Sequence, residues 1–356
     1  MIEAAVVPAC PVYGTCGGCA YQHVPYEEEL QKKESFLRGL FGAAVEPIVA
    51  SPEPYHYRNR LDLALLRTKG TGETFLGFMP ENRWKVISID SCAIARREIS
   101  DLLPGLKDQA AAKMEKRARF SNVIIKTGDD GRVRWGGVGR RSTKLAEDDY
   151  LWTEIAGVRV HYSLDTFFQA NLAILPLVVA RLESMIEWTP RTEFYDLYGG
   201  VGLFGLAFAR RAGRVVIVES SKPSTPVARY NISYNRLANA ELVEATVEDY
   251  FVRLMGSDPF LSDLSLEKGK RGQTPSPPDR VLFVDPPRRG LSEAALGAIA
   301  DFAQRDVFYL SCNPESLARD AGLFAARGLR LERAVPFDFF PKTRHLETLA
   351  HFRKGN

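Results

Sequence analysis

The stretch DVFYLSCNPESLARD, residues 306–320, places a cysteine where a strand gives way to a helix. Val307 to Leu310 form an apolar run of strand type, and Asn313 followed by Pro314 predicts a helix N-cap with proline in the first turn. Cys312 then stands beside the positive end of a helix, where unpaired backbone amides favour an anion. The expected consequence is a lowered thiol pKa and a nucleophilic thiolate. Free cysteines are also among the most buried residues, so the stretch by itself serves a chemical thiol and a small core residue equally well.

The other four cysteines have a different pattern. Cys10, Cys16 and Cys19 fall within CPVYGTCGGC, and Gly17-Gly18 gives the backbone freedom to turn two thiolates onto one centre. In a reducing compartment such a cluster points to a tetrahedral thiolate site for zinc or an iron-sulfur cluster. A fourth ligand is needed: Cys92, in IDSCAIARREI, is the nearest remaining cysteine in sequence, and His23 competes with it. If Cys92 completes the set, Cys312 is the one thiol left over.

A third group of residues suits a nucleoside. DLYGGVGLFGLAFA, Asp196 to Ala209, follows a strand-like run and opens a helix, with Gly199, Gly200 and Gly202 letting a ligand approach the backbone. Glu219 ends the next strand, seventeen residues past Gly202, where a carboxylate can grip two ribose hydroxyls. Gly200, Gly202 and Gly205 also fit the dinucleotide register, so this turn does not separate a dinucleotide from adenosylmethionine. The fourth strand ends in Asp285-Pro286-Pro287, at the carboxyl edge where open sheets bind ligands. An acidic or amide residue followed by two prolines there resembles the motif with which adenosylmethionine-dependent methyltransferases hold a planar base.

The elements that must position these residues divide in two. Residues 26–42 read as an amphipathic helix closed by glycine. Strand-like pieces follow at 57–67, 73–80, 84–90, 121–128 and 158–163, with helical pattern from Ile94 to Arg117. From about Thr166 the rhythm becomes strand, helix, strand, which predicts a parallel sheet with helices on both faces, its strands at 193–198, 214–220, 240–246, 280–285, 306–311, 329–338 and 345–352. The polar, Pro/Ser-rich segment 256–279 reads as a mobile insertion.

Composition narrows the class. A chain of 356 residues with 45% hydrophobic content can bury a large core, and nothing in it suggests a fibre or wholesale disorder. No apolar run approaches a membrane span and the N-terminus lacks signal-peptide character, so no membrane association and a cytoplasmic location are expected. The net charge of +3 is uneven: Arg96 to Lys144 holds thirteen Lys/Arg against six Asp/Glu. Such a segment is an electrostatic footprint for a polyanion such as nucleic acid, or a solvated basic surface.

Taken in order, CPVYGTCGGC with Cys92, DTFFQAN (165–171), DLYGGVG, DPPR, SCNP and FPKTRHLE (340–347) make the chain resemble, from Cys10 to Phe352, the RNA uracil-5-methyltransferases that carry an iron-sulfur cluster. The resemblance implies an α/β fold: a Rossmann-like adenosylmethionine-dependent methyltransferase domain over 166–356, preceded over 1–165 by a β-rich iron-sulfur and RNA-binding domain. It implies that Cys10, Cys16, Cys19 and Cys92 hold a [4Fe-4S] cluster, that Gln169, Tyr198, Gly200, Glu219 and Asp285 contact S-adenosyl-L-methionine or the target base, that Cys312 is the nucleophile and that Glu347 is the general base. Ribosomal RNA is the expected partner ahead of transfer RNA, with the protein acting as a monomer. The family commonly has cysteine where Gly199 stands, and Leu203 replaces a polar residue that some members carry. The N-terminal RNA-binding barrel of longer members is not expected before Cys10.

Such chemistry suits the residues. Thiolate addition to carbon 6 of uracil makes carbon 5 nucleophilic, and a base must then remove the carbon 5 hydrogen. A base within a duplex cannot reach the pocket, so the target is expected in a loop or flipped out, with Phe167, Phe168, Phe339 and Phe340 as stacking candidates, most of them expected in the core. Three other readings remain open: an amino-group methyltransferase using Asp285-Pro286-Pro287, a cytosine-5 enzyme, and a non-catalytic cluster-bearing RNA-binding protein.

Overall fold

The computed structural model describes residues 6–80, 85–115, 117–138, 149–255 and 279–355. Most of the expected insertion and the end of the basic segment, 139–144, lie outside the described residues. The chain opens with α1 (Tyr26–Phe41), closed by Gly42 with φ 59°. It continues through β1 (Arg60–Arg67), β2 (Thr74–Phe78), β3 (Ile87–Ser88), α2 (Arg97–Lys113), β4 (Phe120–Thr127) and β5 (Val133–Val138). These strands form an antiparallel sheet in the order β3-β2-β1-β4-β5. Leu61, Leu63, Leu65, Val123 and Ile125 alternate onto one face and pack against Ile99, Leu103 and Leu106 of α2.

A hairpin follows, β6 (Leu151–Ile155) and β7 (Val158–Tyr162), then α3 (Leu175–Met185). The remainder is β8 (Thr192–Leu197), α4 (Leu203–Phe208), β9 (Arg214–Glu219), α5 (Ser224–Tyr234), β10 (Ala240–Glu244), α6 (Val247–Met255), β11 (Asp279–Val284), α7 (Glu293–Phe302), β12 (Asp306–Ser311), α8 (Pro314–Ala325), β13 (Leu329–Phe337) and β14 (Glu347–Lys354). The second sheet has the order β10-β9-β8-β11-β12-β14-β13. Its first five strands are parallel, and the middles of β9, β8, β11 and β12 are buried apolar runs, as strands covered on both faces must be.

One strand, β14, departs from the parallel sheet expected from the sequence, and β13 beyond it runs in the common direction again. β14 runs antiparallel to both β12 and β13. Only residues 338–346 separate β13 from β14, too short for the crossover a parallel pair requires. Strands β5 and β6 escaped sequence reading, because glycines interrupt the first and a charge breaks the apolar pattern of the second. The strand expected over 84–90 is only two residues long.

Helices α3 and α4 cover one face of the larger sheet together with the β6–β7 hairpin, whose Leu151, Val158, Val160 and Tyr162 share a core with Ile217 and Phe283. On the other face, Phe251, Leu296, Ile299, Leu317 and Phe324 pack on Leu282, Val284 and Tyr309. Helix α1 crosses from the N-terminal region to this domain, where Leu37 and Val45 bury against Ala334 and Leu346. Among the described residues no helix is long and apolar enough to cross a membrane.

Candidate active site

The glycine-rich turn leaves β8 through Tyr198, whose φ of 61° is one of few positive values at a non-glycine residue. Strain of this kind persists where surrounding structure imposes it. Gly200 and Gly202 take φ values of 57° and 90°. At Gly199 a Cβ would lie 2.7 Å from Ile217 Cγ2, so the residue beneath the turn accounts for the absence of a side chain there. Glu219, at the end of β9, braces the turn: its Oε2 accepts from Gly200 N at 2.8 Å, and its Oε1 accepts from Ser220 N and Ser221 N at 2.7 and 2.6 Å.

A cleft beside this turn is lined by Phe167, Gln169, Asp196, Tyr198, Leu203 and Asp285, among others. Gln169 Nε2 donates to Asp285 Oδ2 at 3.1 Å, joining the DTFFQAN and DPPR motifs. Burial, and then the charge of Asp196, push the Asp285 carboxyl up to about 7. Asp196 is fully buried, accepts from Gly205 N through Oδ2 at 2.7 Å, and has no partner for Oδ1. Burial pushes its carboxyl to about 7 as well. Two acids at one cleft, Asp196 fully buried and Asp285 partly so, suit a cationic ligand. Sequence reasoning assigned no role to Asp196, although it opens the glycine-rich motif.

Cys312 follows β12 directly, and Asn313 caps α8, its Oδ1 accepting from Glu315 N and Ser316 N. The expected lowering of the Cys312 pKa does not occur. Burial first, and then the carboxylates of Glu347 and Asp285, push the thiol up to about 11, with Arg288 pulling the other way. Part of the reason is that the Asn313 side chain already occupies two amides of the helix end that would otherwise favour a thiolate. Glu347, the first residue of β14, is buried, and burial with the charge of Asp285 raises its carboxyl well above the usual range. Asp285 thus acts on both Glu347 and Cys312, and Glu347 on Cys312, at the edge of the sheet, although the three residues come from three different strand ends.

The loop that delivers Glu347 is held by the N-terminal segment. Lys342 O accepts from Ala20 N and Tyr21 N at 2.7 and 3.0 Å, and Lys342 N donates to Glu29 Oε1 at 2.6 Å. Buried Lys33 bonds Glu29 at 2.8 Å and Asp338 at 2.6 Å, closing a network across α1 and this loop. Of the four phenylalanines considered for stacking, Phe168 is buried against Tyr162 with ring centroids 4.0 Å apart, and Phe339 is buried. Phe340 packs at the edge of the core, whereas Phe167 is 65% exposed at the cleft.

Cys10, Cys16, Cys19 and Cys92 line one cavity with Val12, Leu61, Phe78, Ile89 and Ile94. Its wall also includes Gln22, whose buried Nε2 has no hydrogen-bond partner. The competing ligand His23 is turned away: its Nδ1 meets the Tyr13 hydroxyl. Burial, followed by the charges of Cys92, Cys16 and Cys10, raises the Cys19 thiol to about 11. Four free thiols share this largely apolar cavity, and thiolates are the donors that a zinc or iron-sulfur group would take. Among the described residues no three His, Cys, Asp or Glu side chains stand at metal-binding spacing.

The sequence profile of the tRNA (uracil-5-)-methyltransferase family matches residues 138–354. The chain is 30% identical over 394 residues to the 23S rRNA (uracil(1939)-C(5))-methyltransferase of Vibrio parahaemolyticus, covering 99% of this chain and 83% of that one. It is 27% identical over 419 residues to an uncharacterized RNA methyltransferase of Chlorobaculum tepidum, covering 98% and 83%. In fold it is similar to the Pyrococcus abyssi tRNA (uracil-54, C5)-methyltransferase solved with S-adenosyl-L-homocysteine, with a TM-score of 0.70 at 24% identity, over 96% of this chain and 86% of that one. With the motifs standing together at one edge of a mixed α/β sheet, the chain belongs to the tRNA (uracil-5-)-methyltransferase family, enzymes that methylate carbon 5 of uracil in RNA.

Proposed function

We propose that the protein methylates carbon 5 of a specific uridine in 23S ribosomal RNA, with Cys312 as nucleophile, Glu347 as base, and Gln169, Tyr198, Gly200, Glu219 and Asp285 around the cofactor and target base. The observation that carries this reading is that Asp285, in the cleft beside the glycine-rich turn, and Glu347, at the start of β14, both act on the Cys312 thiol. The choice of 23S RNA rests on the names of relatives such as the Vibrio protein. All these residues come from one chain, so a monomer completes the site, and an RNA target suits a cytoplasmic setting.

Burial favours the protonated forms of the Cys312 thiol and the Glu347 carboxyl in the free protein, so both protons pass to solvent as the base is seated. The Sγ of Cys312 then adds to carbon 6, and the electron pair of the 5,6 double bond moves into the ring carbonyl as an enolate. Bound S-adenosyl-L-methionine supplies an electrophilic methyl group. Carbon 5 takes that methyl, Glu347 removes the carbon 5 proton, the 5,6 double bond re-forms and the carbon–sulfur bond breaks, returning Cys312. Gln169 fixes the orientation of Asp285, and the exposed ring of Phe167 offers a face for stacking.

In the same reading Cys10, Cys16, Cys19 and Cys92 hold a structural [4Fe-4S] cluster, with residues 1–165 serving the cluster and RNA and residues 166–356 the chemistry. Anaerobically purified protein should be brown and carry about four irons per chain; colourless, zinc-loaded protein would exclude the cluster. Cys312→Ala should abolish methylation and retain cofactor binding, whereas full activity would overturn the assignment and favour amino-group methylation. Nucleoside mapping of ribosomal and transfer RNA from cells lacking the protein identifies the substrate by which 5-methyluridine disappears.

A further inference from the structure

The DTFFQAN segment supplies Phe167 and Gln169 to the cleft, yet residues just before β1 and a lysine on β4 hold it at its two ends. Asn59 N donates to Ala170 O at 2.9 Å, and Arg58 pairs with Asn171 in an antiparallel bridge. At the other end Lys126, on β4, reaches across from the smaller sheet. Its side chain is buried, and its Nζ donates to Ser163 O at 2.8 Å and to Thr166 O at 2.5 Å. Ser163 and Thr166 also close on each other, since Ser163 N donates to Thr166 Oγ1 at 2.9 Å. The next residue is Phe167, and Gln169 follows two positions later.

A lysine in this place is not explained by stability. Among the described residues it has no ion-pair partner, and burial draws its ammonium down to about 7. Charged groups nearby are Arg60 and Asp62 on β1 and Asp165 on the segment itself. A buried ammonium without a carboxylate is a costly way to bond two carbonyls, and an apolar side chain would fill the same space. Two carbonyls on either side of one turn, bonded to one rigid strand, fix the turn's position relative to that strand. Any drift of the turn carries Phe167 and Gln169 with it, and the hydrogen bond from Gln169 to Asp285 is the first to break.

We propose that Lys126 is a positioning residue for the cofactor and base cleft, setting the reach of Gln169 to Asp285 by holding the 163–166 turn against the smaller sheet. This rests on the cleft being the adenosylmethionine site. It assigns the smaller sheet a part in cofactor affinity as well as in RNA contact.

The test is Lys126→Met in the full chain, with S-adenosyl-L-homocysteine affinity measured by calorimetry and kcat and KM measured with RNA. Affinity should weaken about tenfold and the KM for adenosylmethionine rise in step, with kcat within about threefold and the iodoacetamide reactivity of Cys312 unchanged. A double-mutant cycle with Gln169→Ala should be strongly non-additive, because the lysine acts through the glutamine. A purely structural role would instead give additive losses. Should Lys126→Met fail to fold, Thr166→Val loosens the same turn and should show the same affinity loss and the same coupling. Unchanged cofactor affinity in the folded variant, or additivity, would overturn the proposal. Failure of the wild-type protein to bind the cofactor would instead overturn the functional reading beneath it.

Discussion

Asn313 Nδ2 donates to the carbonyl oxygen of Arg288 at 3.2 Å, and the same carbonyl accepts from Ser316 Oγ at 3.0 Å. The turn that follows Asp285 is thereby fastened to the helix that begins after Cys312. Asp285 and Cys312 are kept in register by one residue, whose other amide atom caps α8.

Removing that amide should therefore affect rate more than stability. In Asn313→Ala the lost cap costs about 1 kcal/mol and lowers Tm by about 2 °C. The two turns are then free to drift, and kcat should fall at least about tenfold, since small misplacement of reacting groups is expensive. Calorimetry beside single-turnover methylation separates the two effects; an unchanged kcat would show that the turn holds its place without Asn313.

Glu347 acts on Cys312 in two opposed ways. In the proposed mechanism it completes the reaction as a base, and as a neighbouring carboxylate it raises the thiol pKa. Glu347→Gln should leave methylated RNA attached to the protein as a band that survives denaturing electrophoresis. In the same variant the alkylation of Cys312 should proceed at lower pH than in the wild type, where the thiol stands at about 11. Loss of turnover without either change would remove Glu347 from the site.

The buried acids Asp196 and Asp285 make the free protein sensitive to alkali. Burial raises both carboxyls to about 7, above the value of an unfolded chain, so the folded state favours their protonated forms. Their contribution to stability is full below about pH 4 and is lost as pH rises through about 7, at about 1.4 kcal/mol per pH unit for one carboxyl. His161 and His345, whose pKa values burial lowers, act in the opposite direction at acid pH. The informative measurement is thus the difference in Tm between wild type and Asp196→Asn from pH 5.5 to 8.5. The wild type should lose more over that range, and equal slopes would show that Asp196 ionises freely.

Much of the site was legible because its residues sit at element ends with local signatures. Asn313-Pro314 specified a cap, Asp285-Pro286-Pro287 a stiff strand exit, and the glycines after Asp196 a turn at which the backbone is approached closely. The pairing of β14 was not legible, since strand direction depends on loop length and on which neighbour is free. Nor was Lys126, because a lysine in an alternating strand looks the same whether its end meets water or two carbonyls from the other sheet.

The sequence by itself determined the order of the motifs, the identity of the thiols and acids, and the family to which they belong, because these depend on residue type and short spacing. Tertiary structure alone decided which charges face Cys312. A helix end predicts a lowered pKa from its own amides, but the dielectric around a thiol and the carboxylates beside it are set by residues far off in sequence. At Cys312 those distant groups outweigh the local one, and the free protein keeps this thiol protonated.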